Sequence, residues 1–237
     1  MAFQLNSFKP KTKTTPRIEL SDLVGMSKIC EGGSEYADGG DLQNYLRKYH
    51  PSLIWRQRLI LAFQITNGLH YLHSKEIIHC DLHDKNVVIK NGNAKIIDFG
   101  NAKNINAPTK IHIDNGLVGV IPYLAPELLS RFNNIPYSKK MDIYSLGMLF
   151  WVLTSGRRPF DEQLNPGFIE CVSLYSLIIQ GKKEEIIPGT SQAYVNLYYR
   201  CWDDNPNMRP DIESVYHDLK ILKDKILEDE SLNSTKH

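Results

Sequence analysis

The sequence predicts a mainly α-helical fold that contains one small β-hairpin. Three observations support this fold class. Apolar residues recur at helical spacing over long stretches, and one predicted helix is apolar on almost every side. Two β-branched runs, residues 86–90 and 94–98, are joined by Asn91-Gly92, a dipeptide typical of two-residue hairpin turns. The expected architecture is therefore mainly α, within an α+β class whose sheet is this hairpin.

The predicted helices follow one another along the chain. Residues 39–50 (GGDLQNYLRKYH) predict a short helix after a Gly-Gly break, and residues 55–75 predict a longer amphipathic one. Residues 141–156 (MDIYSLGMLFWVLTSG) predict a buried helix that ends at Gly156. The last predicted helix has one apolar face, formed by Ile212, Val215, Leu219, Leu222 and Ile226.

Composition describes an ordinary globular protein. Of its 237 residues, 42% are hydrophobic and 23% are charged, and the net charge of +1 gives no reason to expect a nucleic-acid partner. The four cysteines form no CxxC pair, which favours a reducing, cytoplasmic compartment. The longest apolar stretch, residues 146–153, is far shorter than the roughly 20 residues of a membrane-spanning helix, so no transmembrane segment is expected.

Polar residues suited to catalysis or metal binding cluster around the hairpin. Asp81 and Asn86 lie in HCDLHDKN before it, and Asp98 opens Asp-Phe-Gly after it, so the hairpin brings these side chains to the same end. A carboxylate that accepts a hydroxyl proton and oxygen ligands for Mg²⁺ are what phosphoryl transfer requires. His79, Cys80 and His83 are an alternative set of metal ligands, which their adjacency to this loop disfavours.

Three motifs in this order resemble those of eukaryotic-type protein kinases: H-x-D-x-x-x-x-N, D-F-G and A-P-E. The matching residues are His79, Asp81 and Asn86, then Asp98, Phe99 and Gly100, then Ala125, Pro126 and Glu127. The resemblance runs from about Ser34 to the last helix and corresponds to the hinge and C-terminal helical lobe of that family. It implies a domain over residues 34–227, a basic tail or N-lobe remnant over 1–33 and a polar tail over 228–237.

The resemblance also implies roles for individual residues. Asp81 would be the catalytic base assisted by Asn86, and Asn86 and Asp98 would bind Mg²⁺. Glu127 and Arg209 would form a buried ion pair. Supporting roles would fall to Asp142, which would hold the catalytic-loop backbone, and to His79, Phe99 and Gly100.

A nucleotide site is implied by residues 35–41 (EYADGGD), which resemble the kinase hinge. Backbone groups of Glu35 and Ala37 would bind adenine, Asp41 would meet the ribose, and Val88 would form the apolar floor. The implied cofactors are ATP and Mg²⁺. Without its neighbours, the same segment would be interpreted as a loop and helix cap.

The sequence also departs from the family pattern. It contains no G-x-G-x-x-G and no V-A-x-K, so we expect most of the N-terminal lobe to be missing and the isolated chain to be weakly active or inactive. Cys80 replaces the usual loop arginine. His83, Lys85 and Val120 give a mixture that most resembles the tyrosine-kinase-like group, whose members mostly phosphorylate Ser and Thr.

These features predict a protein kinase that transfers the ATP γ-phosphate to Ser or Thr hydroxyls, with Tyr less favoured, in intracellular signalling with protein substrates or partners. The alternative is a truncated or pseudokinase-like binding module without turnover. A third interpretation is that the sequence omits exons and the chain folds poorly.

Overall fold

The computed structural model describes residues 37–106, 119–129, 136–161 and 168–234. Expectations for residues 1–36, including the basic tail and the role of Glu35, lie outside the described residues. The α-helices, in chain order, are α1 (Leu42–Tyr49), α2 (Trp55–Ser74), α3 (Pro126–Leu129), α4 (Lys139–Ser155), α5 (Phe168–Ile179), α6 (Gln192–Cys201) and α7 (Ile212–Ser234). The strands are β1 (Ile77–Ile78), β2 (Val87–Lys90), β3 (Asn93–Ile96) and β4 (Lys103–Asn104). The prediction of a mainly α fold is confirmed.

The predicted hairpin forms between β2 and β3. These strands pair antiparallel, with Val87 opposite Ile96 and Lys90 opposite Asn93. Asn91 and Gly92 both have positive φ, 50° and 71°, as a type I′ turn requires. Val87, Ile89 and Ile96 are buried, so one face of the hairpin packs on the core.

A second two-stranded sheet was not expected from the sequence. Strand β1 pairs antiparallel with β4, with Ile77 opposite Asn104 and Ile78 opposite Lys103. Strands of two residues carry no alternation that a sequence pattern could reveal. This sheet nevertheless links the entry of the polar loop at residues 79–86 to the segment that follows Asp98.

Helix α4 is the centre of the core. Residues 141–154 are all buried, and Gly156 ends the helix in the left-handed conformation with φ of 71°. Gly147 allows α6 to approach closely, because a Cβ there would lie 2.9 Å from Cβ of Cys201. The buried aromatic residues Trp151, Tyr198 and Trp202 pack in the same core.

The last helix, α7, packs against α2. Ile212, Val215 and Leu219 are buried, and Leu222 and Ile226 are partly buried against the core, so this face lies inward as predicted. The helix continues to Ser234, beyond residue 227, where the sequence suggested the end of the domain. Across the residues that the structure describes, no helix has the length and apolar character needed to cross a membrane.

Candidate functional site

The polar loop, residues 79–86, is held in place by a buried carboxylate of α4. Asp142, which is 1% exposed, accepts hydrogen bonds from the backbone N–H of His79 to Oδ2 (2.8 Å) and of Cys80 to Oδ1 (3.0 Å). His73 of α2 donates from Nε2 to Oδ2 at 2.9 Å. Because charge-assisted hydrogen bonds are the strong ones, this arrangement fixes the start of the loop to the core.

His79 connects the loop to the segment that contains Asp98. Its Nε2 donates to the carbonyl of Ile97 at 3.0 Å, and its Nδ1 accepts from the backbone N–H of Asp81 at 3.3 Å. These two roles are those of a neutral imidazole with its proton on Nε2. The ring also packs edge-on against Phe99, with 5.4 Å between ring centroids.

Asp81 and Asn86 lie together within the loop. The Asn86 side-chain amide donates from Nδ2 to the Asp81 carbonyl at 2.8 Å. Because the amide nitrogen is used in this way, the amide oxygen of Asn86 is the atom that could ligate a metal. The Asp81 carboxylate accepts from Asn101 Nδ2 at 3.1 Å through Oδ2, while Oδ1 lies 3.6 Å from Nε2 of His83.

Asp98 has an exposed side chain on a constrained backbone. Its φ is 60°, and its Oδ1 accepts from the backbone N–H of Gly100 at 3.2 Å. Cys80, directly before Asp81, also has a positive φ of 66°. Non-glycine residues in this region are uncommon and concentrate at functional sites, where the surrounding structure maintains the strain. The oxygen donors of Asp98 and Asn86 suit Mg²⁺, which takes one or two protein ligands when phosphates supply others.

The hinge-like segment runs beside β2. Gly39 N–H donates to the carbonyl of Ile89 at 3.1 Å, and Ile89 N–H donates to the carbonyl of Gly40 at 2.9 Å. A Cβ at Gly39 would lie 2.9 Å from Cβ of Ile89, so this close approach requires glycine. Asp41 forms an isolated antiparallel bridge with Val88, which places these two predicted site residues side by side.

Asp41 is also the N-cap of α1. Its Oδ1 accepts from the backbone N–H of Asn44 at 2.8 Å, and its Oδ2 accepts from Asn44 Nδ2 at 2.7 Å. These contacts of Asp41 therefore agree with the interpretation of the segment as a loop and helix cap. Ala37, the first described residue, accepts from Gly40 N–H at 3.0 Å through its carbonyl.

Glu127 and Arg209, which lie outside the polar loop, form a bidentate ion pair. Arg209 Nη1 lies 2.7 Å from Glu127 Oε1, and Nη2 lies 2.8 Å from Oε2. Arg209 also donates from Nε to the carbonyl of Asp203 and from Nη1 to the carbonyl of Lys140. The Arg209 guanidinium is fully buried and lies over the ring of Tyr144 on α4. The pair therefore joins α3 to the segment between α6 and α7.

Burial sets the electrostatics next to Asp81. It lowers the pKa of the His83 imidazole, while the carboxylates of Asp81 and Asp84 act in the opposite direction. It raises the pKa of the Asp84 carboxyl, which the Arg158 guanidinium partly offsets. These two side chains are therefore desolvated polar groups of the loop itself, beside Asp81.

Two residues of the site were not identified from the sequence. His73 lies on an apolar helix face, 69 residues from Asp142, and carries no motif that indicates this contact. Asn101 directly follows Asp98-Phe99-Gly100, and this position next to a motif is the sequence feature that could have identified it as a site residue.

Comparisons with known proteins agree with the resemblance seen in the sequence. The family model for the protein kinase domain matches residues 28–219. The serine/threonine/tyrosine-protein kinase HT1 of Arabidopsis thaliana is 30% identical over 216 residues, 88% of this chain and 53% of that protein. Human mitogen-activated protein kinase kinase kinase 7 is 32% identical over 195 residues, 79% of this chain and 30% of that protein.

An RGS domain-containing serine/threonine-protein kinase A of Dictyostelium discoideum is 30% identical over 219 residues, 88% of this chain and 18% of that protein. The chain thus spans about half the length, or less, of the curated relatives it matches. The matched region contains the polar loop, the hairpin and helices α1 to α6. On this evidence the chain belongs to the protein kinase family.

Proposed function

We propose that this protein transfers the γ-phosphate of ATP to serine or threonine hydroxyls of intracellular signalling proteins, acting in the cytoplasm. The observation that carries the proposal is the geometry of the polar loop. Its backbone is fixed by the buried Asp142 carboxylate, while the Asp81 carboxylate on the same loop keeps one oxygen without a donor among the described residues. A proton acceptor needs an available lone pair on a fixed frame.

Asp81 would accept the proton of the attacking hydroxyl. As the hydroxyl oxygen bonds to the γ-phosphorus, the bond from that phosphorus to the bridging oxygen of ADP breaks and the proton passes to the Asp81 carboxylate. Asn86 and Asp98 would hold Mg²⁺, which neutralises charge on the phosphates when bound. Asn86 also holds the carbonyl of Asp81, so it would orient the base.

The hinge-like segment would hold the nucleotide. Val88 would lie under the adenine, the backbone of Ala37 and Glu35 would bind its edge, and Asp41 would meet the ribose. Asp41 can cap α1 and accept a further hydrogen bond, because each carboxylate oxygen offers two acceptor positions. We assign residues 34–227 to the kinase domain, and residues 228–234 to the continuation of α7.

The preference for Ser and Thr over Tyr is supported by relatives and by the loop. The RGS domain-containing kinase of Dictyostelium discoideum is named as a serine/threonine kinase, and HT1 is named for all three acceptors. The loop sequence, with His83 and Lys85, resembles the tyrosine-kinase-like group.

Phosphate transfer tests the proposal directly. The purified chain is incubated with labelled ATP, Mg²⁺ and a mixed protein acceptor, beside Asp81→Asn and the control Asp224→Asn on α7. We expect Asp81→Asn to lose roughly 10²- to 10⁴-fold in rate, the usual contribution of a general base. The control should match the wild type. Equal rates for wild type and Asp81→Asn would contradict the assignment of the base.

A second candidate is a binding module without turnover. It is favoured by the absence, within these 237 residues, of G-x-G-x-x-G and V-A-x-K, the motifs that cover and pair the phosphates. A cooperatively folded wild type that transfers no phosphate, and that binds a protein partner as tightly as Asp98→Ala does, would support this candidate.

A further inference from the structure

The two oxygens of the Asp81 carboxylate have different surroundings. Oδ2 accepts a hydrogen bond from Asn101 Nδ2 at 3.1 Å. Oδ1 is buried, and within the described ranges no group donates a hydrogen bond to it. Its neighbours are Nε2 of His83, at 3.6 Å, and Gly119, where an added Cβ would lie 3.6 Å away. Among the described residues, the Asp81 carboxylate is therefore held by a hydrogen bond through Oδ2 alone.

Asn101 is itself fixed relative to the loop. On one side, Ala102 N–H donates to the carbonyl of Phe99 at 3.1 Å, which closes a turn around Asn101. On the other side, Lys103 and Asn104 form strand β4 and pair with β1, which leads directly into His79. The donor and the acceptor are thus carried by two segments that are hydrogen-bonded to each other.

We infer that Asn101 is a positioning residue for Asp81: its side-chain amide holds Oδ2 and fixes the rotation of the carboxylate, leaving Oδ1 as the oxygen to which no described group donates. A carboxylate with one fixed oxygen cannot rotate freely about its last side-chain bond. A base that must meet a hydroxyl within hydrogen-bond distance depends on this orientation. The inference rests on the proposed role of Asp81 as the base, and Asn101 does not touch the reacting atoms.

Kinetics separates positioning from a structural role. We expect Asn101→Ala to lower kcat roughly 10- to 100-fold, because displacement of a reacting group by about 1 Å costs on the order of 10²-fold. The KM for ATP should stay within about twofold, because among the described residues no hydrogen bond joins Asn101 to the hinge-like segment. Asn101→Asp would place a second carboxylate beside Asp81 and should lower kcat at least as much.

The matched control is Asn104→Ala. Asn104 lies in the same segment, and its Oδ1 accepts from the backbone N–H of Asn106 at 2.9 Å, away from Asp81. It should keep the wild-type kcat and KM. The inference is overturned if Asn101→Ala keeps the wild-type kcat, or if its kcat falls only in proportion to a loss of folded protein measured by melting.

A second readout does not require turnover, so it distinguishes failure of this inference from failure of the proposed function. In the full chain with uniform ¹⁵N labelling, the Asn101 side-chain amide protons should exchange with solvent at least tenfold more slowly than those of exposed Asn91. In Asp81→Ala this protection should disappear, while the backbone amide of Ala102 keeps its own protection. Exchange of the Asn101 amide at the Asn91 rate in the wild type would overturn the inference, whether or not the protein transfers phosphate.

Discussion

Asp81 on the polar loop and Asp142 on α4, which holds the loop, differ in how their carboxylate oxygens are hydrogen-bonded. Asp142 is 1% exposed, and both of its oxygens are used by donors from the loop and from α2. Asp81 lies on the same loop, yet one oxygen has a donor from Asn101 and the other has none among the described residues. Buried polar groups are normally paired, so an unpaired one needs an explanation.

This difference divides the molecule into two regions. The anchor region consists of Asp142, Glu127, Arg209 and their partners, where each carboxylate is paired. The reaction face consists of Asp81, Asn86 and Asp98. Asp98 and Cys80, the residue before Asp81, have positive φ, and one oxygen of Asp81 has no donor among the described residues.

The largest expected effect is in the anchor region. Glu127→Ala leaves the Arg209 guanidinium, with a fully buried side chain, without its carboxylate, which costs about 3–5 kcal/mol of unfolding free energy. Urea denaturation measures this change. The control is Arg200→Ala, which breaks the exposed pair with Asp218 and should cost about 0–1 kcal/mol. Equal losses in both variants would show that burial does not set the strength of the Glu127 pair.

The next effect compares the Asp81 carboxylate of the loop with the Asp142 carboxylate of α4 that holds the loop. Asp142→Asn puts an amide where backbone and imidazole donors require a charged acceptor, and should lower the unfolding free energy by about 1.5–3 kcal/mol. Asp81→Asn is the matched change on the reaction face and should alter it by less than about 1 kcal/mol. Thermal or urea unfolding of both variants provides the comparison. If Asp81→Asn is the more destabilising of the two, the division into regions is wrong.

Two turn glycines, one at the end of α4 and one in the β2–β3 hairpin, offer a third comparison. Gly156 and Gly92 both have φ of 71°, so alanine at either position should cost about 1–2 kcal/mol for the left-handed backbone. A Cβ at Gly156 would also lie 2.4 Å from Cγ of His50, whereas nothing lies within 4 Å at Gly92. We therefore expect Gly156→Ala to be the more destabilising variant in urea denaturation. Equal losses would mean that His50 moves aside without cost.

Most of the anchor region and much of the polar loop could be predicted from the sequence. Helix α4 was predicted because its apolar residues cover all sides, and the hairpin because Asn91 and Gly92 tolerate positive φ. Both signals are local. The motif spacing also singles out Asp81, Asn86 and Asp98, the residues for which catalytic and metal-binding roles are proposed.

What the sequence could not predict depends on distant contacts. The His73 contact with Asp142 joins residues 69 positions apart, and a histidine on an apolar helix face gives no sign of its partner. The β1–β4 sheet is too short to show a strand pattern. The hydrogen bond from Asn101 to Asp81 joins residues 20 positions apart, and only the position of Asn101 after Asp98-Phe99-Gly100 hinted at a place in the site.

A smaller effect concerns pH. Burial, and then the nearby Arg58 guanidinium, lower the pKa of the His50 imidazole from its ordinary value of 6.5. The unfolded chain therefore binds a proton at His50 more readily than the folded chain. The resulting stability is present above pH 6.5 and decreases as the pH falls below that value. Melting temperatures at pH 7.5 and at about pH 5.5 should differ less in His50→Gln than in the wild type. An unchanged difference would exclude His50 as a source of the pH dependence.

Binding of Mg²⁺-ATP tests most directly whether the reaction face holds a nucleotide and metal. The melting temperature of the chain is measured with and without millimolar Mg²⁺-ATP, for the wild type, Asp98→Asn and the control Asp224→Asn. Ligand at about a hundred times its Kd stabilises by roughly 2.7 kcal/mol, or about 5–10 °C for a chain of this size. We predict such a shift in the wild type and in Asp224→Asn and its loss in Asp98→Asn. An equal shift in Asp98→Asn, or no shift in a cooperatively folded wild type, would contradict the account.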